Sequence, residues 1–199
     1  MRHLMMLSLM CAACGSVEPP EEPPPPAPLG PTAAESALTR ADALASAAAR
    51  NLRTRMVQEM GANGPGAALE ACSIEAEALT AAPIPPASGA RVGRSSLRLR
   101  SGENEAPAWV QTWLEAQGDS AQFAQVEGFR RVDGVGDARV ARVLQPIPML
   151  PNCLKCHGSK DEITADVRAK LDARYPDDAA HGYHAGDLRG ALWAEVPVR

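Results

Sequence analysis

Cys153, Cys156 and His157 lie within the segment Cys-Leu-Lys-Cys-His, whose residue types and spacing could carry chemistry. Cys-x-x-Cys-His is the pattern of a c-type haem attachment site. Two thiols at this separation can add to the two vinyl groups of a porphyrin, and the adjacent imidazole then faces the iron. The segment therefore predicts one covalently bound haem c per chain, with His157 as an axial ligand of its iron.

Two other uses of a cysteine pair fit these surroundings less well. A structural zinc site needs four ligands, usually from two such pairs, and the chain after residue 31 has no second pair. A thioredoxin-like redox pair belongs in a βαβ context, whereas the neighbouring sequence is rich in proline and loop signals. Bacterial haem c attachment occurs outside the cytoplasm, so an export signal in the same chain supports the haem interpretation.

Residues 1–13 have the composition of a short export signal, in which Arg2 precedes an apolar run from Leu4 to Ala13. That run is too short to span a bilayer, which needs ~20 apolar residues. Cys11-Ala-Ala-Cys14-Gly resembles a bacterial lipobox, although Cys11 stands where leucine is usual. We therefore expect lipidation of Cys14 and anchoring at the periplasmic side of a bacterial membrane. The alternative is ordinary cleavage to a soluble periplasmic protein.

Residues 14–31 are rich in proline, which excludes a helix or a central strand. This segment predicts an extended tether that rises ~3 Å per residue and reaches roughly 40 Å from its anchor. Residues 32–199 then supply the length of one folded domain.

Composition narrows the class of partner. The net charge is −4 and no basic run is interleaved with aromatic residues, so nucleic acid is not an expected partner. The sequence has no internal repeat, P-loop or Rossmann glycine pattern. Aromatic residues make up only 4% of the chain, so the core is expected to rely on Ala, Leu, Val and the porphyrin itself.

Two helices are predicted at the start of the domain. Thr32 and Glu35 have the spacing of a capping box, and the helix behind them is expected to end at Gly61. A second helix is predicted over residues 67–81, and its apolar periodicity points Cys72 inward.

The pattern then changes to one of strands. Strands are expected at Val92–Arg100, Phe123–Val132, Ala138–Ile147 and Ala191–Val198, with a short helix at Pro107–Gln117. Gly134 and Gly136 indicate a hairpin between the second and third of these strands. Helices followed by antiparallel strands predict an α+β domain. Proline and strand signals between Pro83 and Pro151 argue against the rival fold, a four-helix cytochrome bundle.

The residues alone leave the second axial ligand open. Cys72 is the odd thiol of the domain, and buried cysteines also serve as small hydrophobic residues. The other candidates are Met56, Met60, Met149, His181 and His184. Met149 stands only four residues before Cys153, which makes it hard for its sulfur to reach the opposite face of the ring. The other methionines are typical of a helix core, and the two histidines are expected to be solvated.

A longer string of residues resembles a known family. The string after the attachment segment comprises Gly158, Tyr175-Pro176, Asp178, Ala180, Gly182-Tyr183, Gly186-Asp187, Leu188 and Arg189-Gly190-Ala191. The string before it comprises Arg94-Ser95-Ser96, Arg100, Asn104, Pro107 and Gln145-Pro146-Ile147. Together they resemble the Tll-like c-type haem domain family over roughly residues 35–198.

The resemblance implies a PAS-like fold, in which an antiparallel sheet flanked by N-terminal helices holds one haem c. It also implies that His157 and a cysteine on an N-terminal helix are the axial ligands. The segment Gly66-Ala-Ala-Leu-Glu-Ala-Cys72 matches the context of that cysteine, so the resemblance favours Cys72. The expected haem-pocket residues are Arg94, Arg100, Tyr183 and Arg189, because arginine binds carboxylates such as haem propionates bidentately.

Two protein ligands would close the iron to substrates, so we expect a non-enzymatic single-haem cytochrome for electron transfer or redox sensing. The sequence has no kinase, HAMP-like or cyclase segment, so its partner is expected to be a redox protein or a separate signalling protein. One alternative is a gas or ligand sensor in which Cys72 dissociates. Another is a peroxidase-like enzyme with His181 or His184 as the acid–base group.

Overall fold

An antiparallel four-stranded sheet organises residues 32–199, which are the residues that this computed structural model describes. The strands are β1 (Arg91–Ser95), β2 (Phe129–Asp133), β3 (Val140–Pro148) and β4 (Leu188–Pro197). Their order is β1-β4-β3-β2, which places the last strand of the chain beside both β1 and β3. The predicted export segment, the lipidation of Cys14 and the tether fall on residues 1–31 and lie outside the described residues.

Helix α1 (Ala33–Asn63) covers one face of the sheet. Small residues on its inner side, such as Ala37 and Ala41, let its backbone approach Val143 and Ala194 closely. At its start, the Thr32 hydroxyl accepts a hydrogen bond from the Glu35 backbone nitrogen, and the Glu35 carboxylate accepts one from Thr32. The predicted capping box is therefore confirmed.

Helix α3 (Ala108–Gln117) covers the opposite face. Val110 and Leu114 are fully buried against Leu144 and Trp193, and burial of side chains of this size contributes ~2 kcal/mol each. Gly93 lies opposite Trp193 in the strand register, and a Cβ atom there would stand 2.2 Å from the indole ring. The glycine therefore makes room for the largest side chain of this layer.

Three further α-helices lie within the described residues. They are α2 (Pro65–Ala81), α4 (Leu154–His157) and α5 (Ala165–Arg174). Helices α2 and α5 pack together through Leu69, Val167 and Leu171. None of the helices between residues 32 and 199 is long and apolar enough to cross a membrane.

The structure confirms the α+β class and the antiparallel sheet with N-terminal helices. It also confirms, within a few residues, the predicted helix at 107–117 and the predicted strands at 138–147 and 191–198. Gly134 and Gly136, both with positive φ, do lie in the β2–β3 hairpin. Other boundaries were wrong. Helix α1 continues through Gly61 and ends at Gly64, whose φ of 84° favours glycine.

Two predicted strands are shorter than expected. The strand expected at 92–100 ends at Ser95, because the Ser96 hydroxyl bonds the backbone of Arg98 and turns the chain away from the sheet. The strand expected at 123–132 begins only at Phe129, and its first part is a 3-10 turn at Phe123–Gln125. Helix α5 was not predicted at all.

Candidate functional site

The attachment segment forms a single helical corner. A 3-10 turn at Pro151–Cys153 leads directly into α4, so Cys153, Cys156 and His157 lie on one side of one helical turn. All three side chains are half-buried, and the thiols are not joined by a disulfide. Gly158 ends the turn where a Cβ atom would stand 2.7 Å from the Leu154 carbonyl oxygen. The fold therefore presents two thiols and one imidazole together.

The His157 imidazole is held by a backbone carbonyl. Its Nδ1 lies 2.7 Å from the Ala180 oxygen. A carbonyl oxygen can only accept, so Nδ1 carries the proton and Nε2 keeps its lone pair. Burial, reinforced by the positive charges of Arg189 and Arg100, holds the His157 pKa well below its ordinary value. The ring is therefore neutral with a free Nε2, which is the state that can bind a metal.

The loop that contains Ala180 is tied directly to the end of α4. The Gly182 nitrogen donates to the Gly158 oxygen at 2.8 Å, and the Tyr183 nitrogen donates to the His157 oxygen at 3.0 Å. The buried Tyr183 ring stands edge-on to the imidazole with centroids 6.3 Å apart. Backbone pairing and ring packing together fix the orientation of His157.

Cys72 lies one helical turn after Leu69 on α2, and Leu69 shares an apolar cluster with Cys156. The thiol is half-buried. Burial raises its pKa, and the nearby charges of Arg94 and Arg55 oppose that rise. Negative charge at Cys72 also contributes to the raised pKa of Cys156, which is due mainly to burial. The structure therefore brings Cys72 to the same region as the attachment segment.

Two arginines at this site have few polar partners within the protein. Arg94 donates through Nη2 to Glu77 at 3.2 Å, while its buried Nε has no hydrogen-bond partner. Arg189 donates only to the Arg98 carbonyl oxygen, at 3.3 Å, and no carboxylate within residues 32–199 forms an ion pair with it. Burial lowers the Arg189 pKa, and the charges of Arg100 and Arg94 add to that effect. Such cations favour an anionic ligand.

Arg100 has protein partners instead. Its Nε donates to Asp178 at 3.1 Å, and its Nη2 donates to the carbonyl oxygens of Cys156 and Ala180 at 2.5 and 3.3 Å. The Arg100 and Asp178 side chains are only 13% and 10% exposed. This ion pair is therefore a buried part of the loop that holds His157.

The other candidate ligands are placed differently. Met149 is buried at the end of β3, where its backbone nitrogen donates to the Asp187 oxygen. Met56 and Met60 lie half-buried on α1. His181 and His184 are exposed, as expected, and His184 lies 3.7 Å from Asp187. Among residues 32–199, no group of three or more His, Cys, Asp or Glu side chains could by itself hold a metal ion.

These donors fit a haem c. Two thiols in one turn suit covalent attachment, the free Nε2 of His157 suits iron, and the orphaned Nε of Arg94 and the unpaired Arg189 suit propionates. A family model described as Tll0287-like matches residues 31–197.

The chain belongs to the Tll0287-like family.

The resemblance noted in the sequence is therefore confirmed. One solved structure, titled "Crystal structure of the cyanobacterial heme-protein Tll0287", is similar to this chain with a TM-score of 0.52 and 21% identity. The similarity covers 81% of this chain and 92% of that one, and it supports the predicted fold. No curated protein matches this chain.

The sequence did not reveal how this Tll0287-like site is assembled. The hydrogen bond from His157 to Ala180 uses a backbone oxygen, which leaves no trace in side-chain patterns. Asp178 stood in the family string without a role, and its pairing with Arg100 was missed. The apolar spacing of Ile163, Val167 and Leu171 was the signal that would have found α5.

Proposed function

We propose that this Tll0287-like chain is a single-haem c-type cytochrome, with thioether bonds from Cys153 and Cys156 and with His157 and Cys72 as axial ligands. The observation that carries the proposal is the neutral His157 ring, whose Nδ1 is fixed by Ala180 while Nε2 stays free beside two unbridged thiols. The solved relative that shares the fold is described as a heme-protein.

The bound haem would supply one-electron redox chemistry at its iron. The chain's own residues set the conditions for it. A Cys72 thiolate would offset the net charge of a ferric centre, and its half-buried position would disfavour the additional negative charge of the reduced form. We therefore expect a low reduction potential compared with that of a histidine–methionine site.

Arg94 and Arg189 would hold the propionates in this proposal, because Arg94 has a buried Nε without a partner and Arg189 forms no ion pair with a carboxylate among residues 32–199. The Tyr183 ring contacts both Arg98 and Arg189, whose guanidinium carbons lie 3.6 and 5.4 Å from its centroid. The same ring packs edge-on against His157.

The function that follows is electron transfer or redox sensing by a non-enzymatic protein. It acts at the periplasmic side of a bacterial membrane, anchored through a lipid on Cys14, and it exchanges electrons or signals with a separate protein partner. Two protein ligands would leave no position for a substrate, and both His181 and His184 are exposed.

A second candidate is a sensor of gas or small ligands in which Cys72 leaves the iron. One observation favours it: burial raises the Cys72 pKa, so the thiol form is favoured once the charge on the metal falls. In this alternative, loss of Cys72 from the iron on reduction would open a coordination position.

The test compares wild type and Cys72→Ser after expression with the haem c maturation system, with Ile74→Ser, an exposed position on the same helix, as the matched control. Mass spectrometry checks haem attachment and absorption checks ligation. The proposal expects a low-spin six-coordinate ferric spectrum that changes in Cys72→Ser only. Carbon monoxide binding to the ferrous wild type supports the sensor, and an unchanged Cys72→Ser spectrum removes the sulfur ligand.

A further inference from the structure

Arg100 joins the two chain segments that place the His157 ring. Its Nη2 donates at 2.5 Å to the carbonyl oxygen of Cys156, the residue that directly precedes His157. The same nitrogen donates at 3.3 Å to the Ala180 oxygen, which is the acceptor of the His157 Nδ1 proton. One guanidinium therefore contacts both the backbone that carries the imidazole and the oxygen that orients it.

Asp178 completes a closed ring of hydrogen bonds. Its Oδ2 accepts from Arg100 Nε at 3.1 Å, and its Oδ1 accepts from the Ala180 nitrogen at 2.8 Å. The backbone of Ala180 is thus held at its nitrogen by Asp178 and at its oxygen by Arg100 and the His157 imidazole. Because both charged side chains are nearly buried, solvent screens this arrangement weakly.

We infer that Arg100 is the positioning residue of the His157 imidazole, and that it limits the electron donation of that imidazole by sharing its hydrogen-bond acceptor. This inference rests on the proposed function, in which His157 binds the haem iron. A carbonyl that accepts only from Nδ1 pulls that proton more strongly and makes Nε2 a better electron donor. A second donor on the same oxygen weakens this pull.

The charges of Arg100 and Asp178 have opposite effects on the reduction potential. The Arg100 cation disfavours positive charge at the iron and so favours the reduced state, whereas the Asp178 anion favours the oxidised state. Removal of Arg100 is therefore expected to lower the reduction potential both through the stronger Nδ1 bond and through the lost charge. Neutralising Asp178 is expected to raise the potential.

The experiment measures the reduction potential and the ferric electron paramagnetic resonance spectrum of the haem-loaded full chain. The variants are Arg100→Lys, which keeps the charge but lacks the planar guanidinium that bonds Asp178 through Nε and the two carbonyls through Nη2, Arg100→Met and Asp178→Asn. Arg130→Lys, an exposed arginine on edge strand β2, is the matched control.

The inference expects the potential to fall in Arg100→Lys, to fall further in Arg100→Met and to rise in Asp178→Asn. The g values are expected to shift in all three variants and to stay at their wild-type values in Arg130→Lys. A wild-type potential and unchanged g values in Arg100→Lys would overturn the inference, as would a fall in Asp178→Asn. If Arg100→Met does not retain haem, the other two variants decide.

Failure of the proposed function has a different signature. A wild-type protein without attached haem, or one whose ferric spectrum is unchanged in His157→Ala, contradicts the proposed function before any Arg100 variant is compared. A wild type that shows histidine ligation, together with Arg100 variants that have no effect, contradicts only the role of Arg100.

Discussion

Cys156 of the attachment segment and Leu69 of helix α2 belong to the same apolar cluster. Ile163, Val167 and Leu171 are the other buried residues of this cluster, so α5 packs against both α2 and the attachment segment. Cys72 follows Leu69 by one helical turn. The distance between the two proposed iron ligands is therefore set by apolar packing.

Leu171→Ala tests this dependence. The side chain is buried in the cluster, and its truncation is expected to cost ~2–5 kcal/mol of unfolding free energy. It is also expected to shift the ferric spectrum towards that of Cys72→Ser, because α2 loses its support. Leu114→Ala, at a buried leucine of α3, is the control that loses similar stability without the spectral change. Equal spectra of the two variants would contradict the prediction.

The attachment chemistry predicts the behaviour of single thiol variants. Cys153→Ala and Cys156→Ala are each expected to lose one thioether bond, which shifts the α band of the pyridine haemochrome while one covalent bond remains. Cys153→Ala/Cys156→Ala is expected to lose covalent haem completely. Mass spectrometry of the denatured protein measures whether haem is covalently attached. Haem that is still attached in the double variant would rule out Cys153 and Cys156 as the attachment site.

Arg189→Met is expected to have opposite effects on the two forms of the protein. In haem-free protein the substitution removes a half-buried cation that forms no ion pair with a carboxylate among residues 32–199, so the unfolding free energy is expected to rise. In haem-loaded protein it removes a propionate partner, so thermal stability is expected to fall. Paired denaturation curves measure both, and a fall in both forms would show that Arg189 is only structural.

Asp133 in the sheet is expected to make a pH-dependent contribution to the free energy of unfolding. Burial acts to raise the pKa of this carboxyl, but hydrogen bonds from Arg142 and Arg131 outweigh that effect and hold it below its usual value. A lowered folded-state pKa stabilises the protein above the unfolded pKa of about 3.9, and the stabilisation is lost as the pH falls through the folded pKa. Arg142 also pairs with Glu195, so the network crosses three strands.

Asp133→Asn is therefore expected to cost about 1 kcal/mol at pH 7 and much less below pH ~3.9. Urea unfolding at pH 7 and at pH 3 measures the difference between variant and wild type. Asp137→Asn, in the exposed hairpin turn, is the control that removes a carboxylate outside the Arg142 network. A difference that stays constant over this range would contradict the network.

The sequence predicted what depends on local pattern. The capping box at Thr32 and the turn glycines of the β2–β3 hairpin have short-range signals, and the structure places both as expected. Gly61 resembles a helix end in the sequence, yet α1 continues to Asn63, with Gly64 as its C-cap. Other missed features depend on distant contacts. The Arg100–Asp178 pair joins residues 78 positions apart, beyond any periodicity.

The layer beneath α3 also determines what optical methods report. All three tryptophans of the chain, Trp109, Trp113 and Trp193, belong to this one cluster, and Trp193 donates its indole hydrogen to Ser95 at 3.2 Å. All intrinsic tryptophan fluorescence therefore originates in the layer between α3 and the sheet, whereas haem absorbance would report on the attachment segment at α4. Heating curves recorded with the two signals can separate local opening of the haem corner from global melting without any added label.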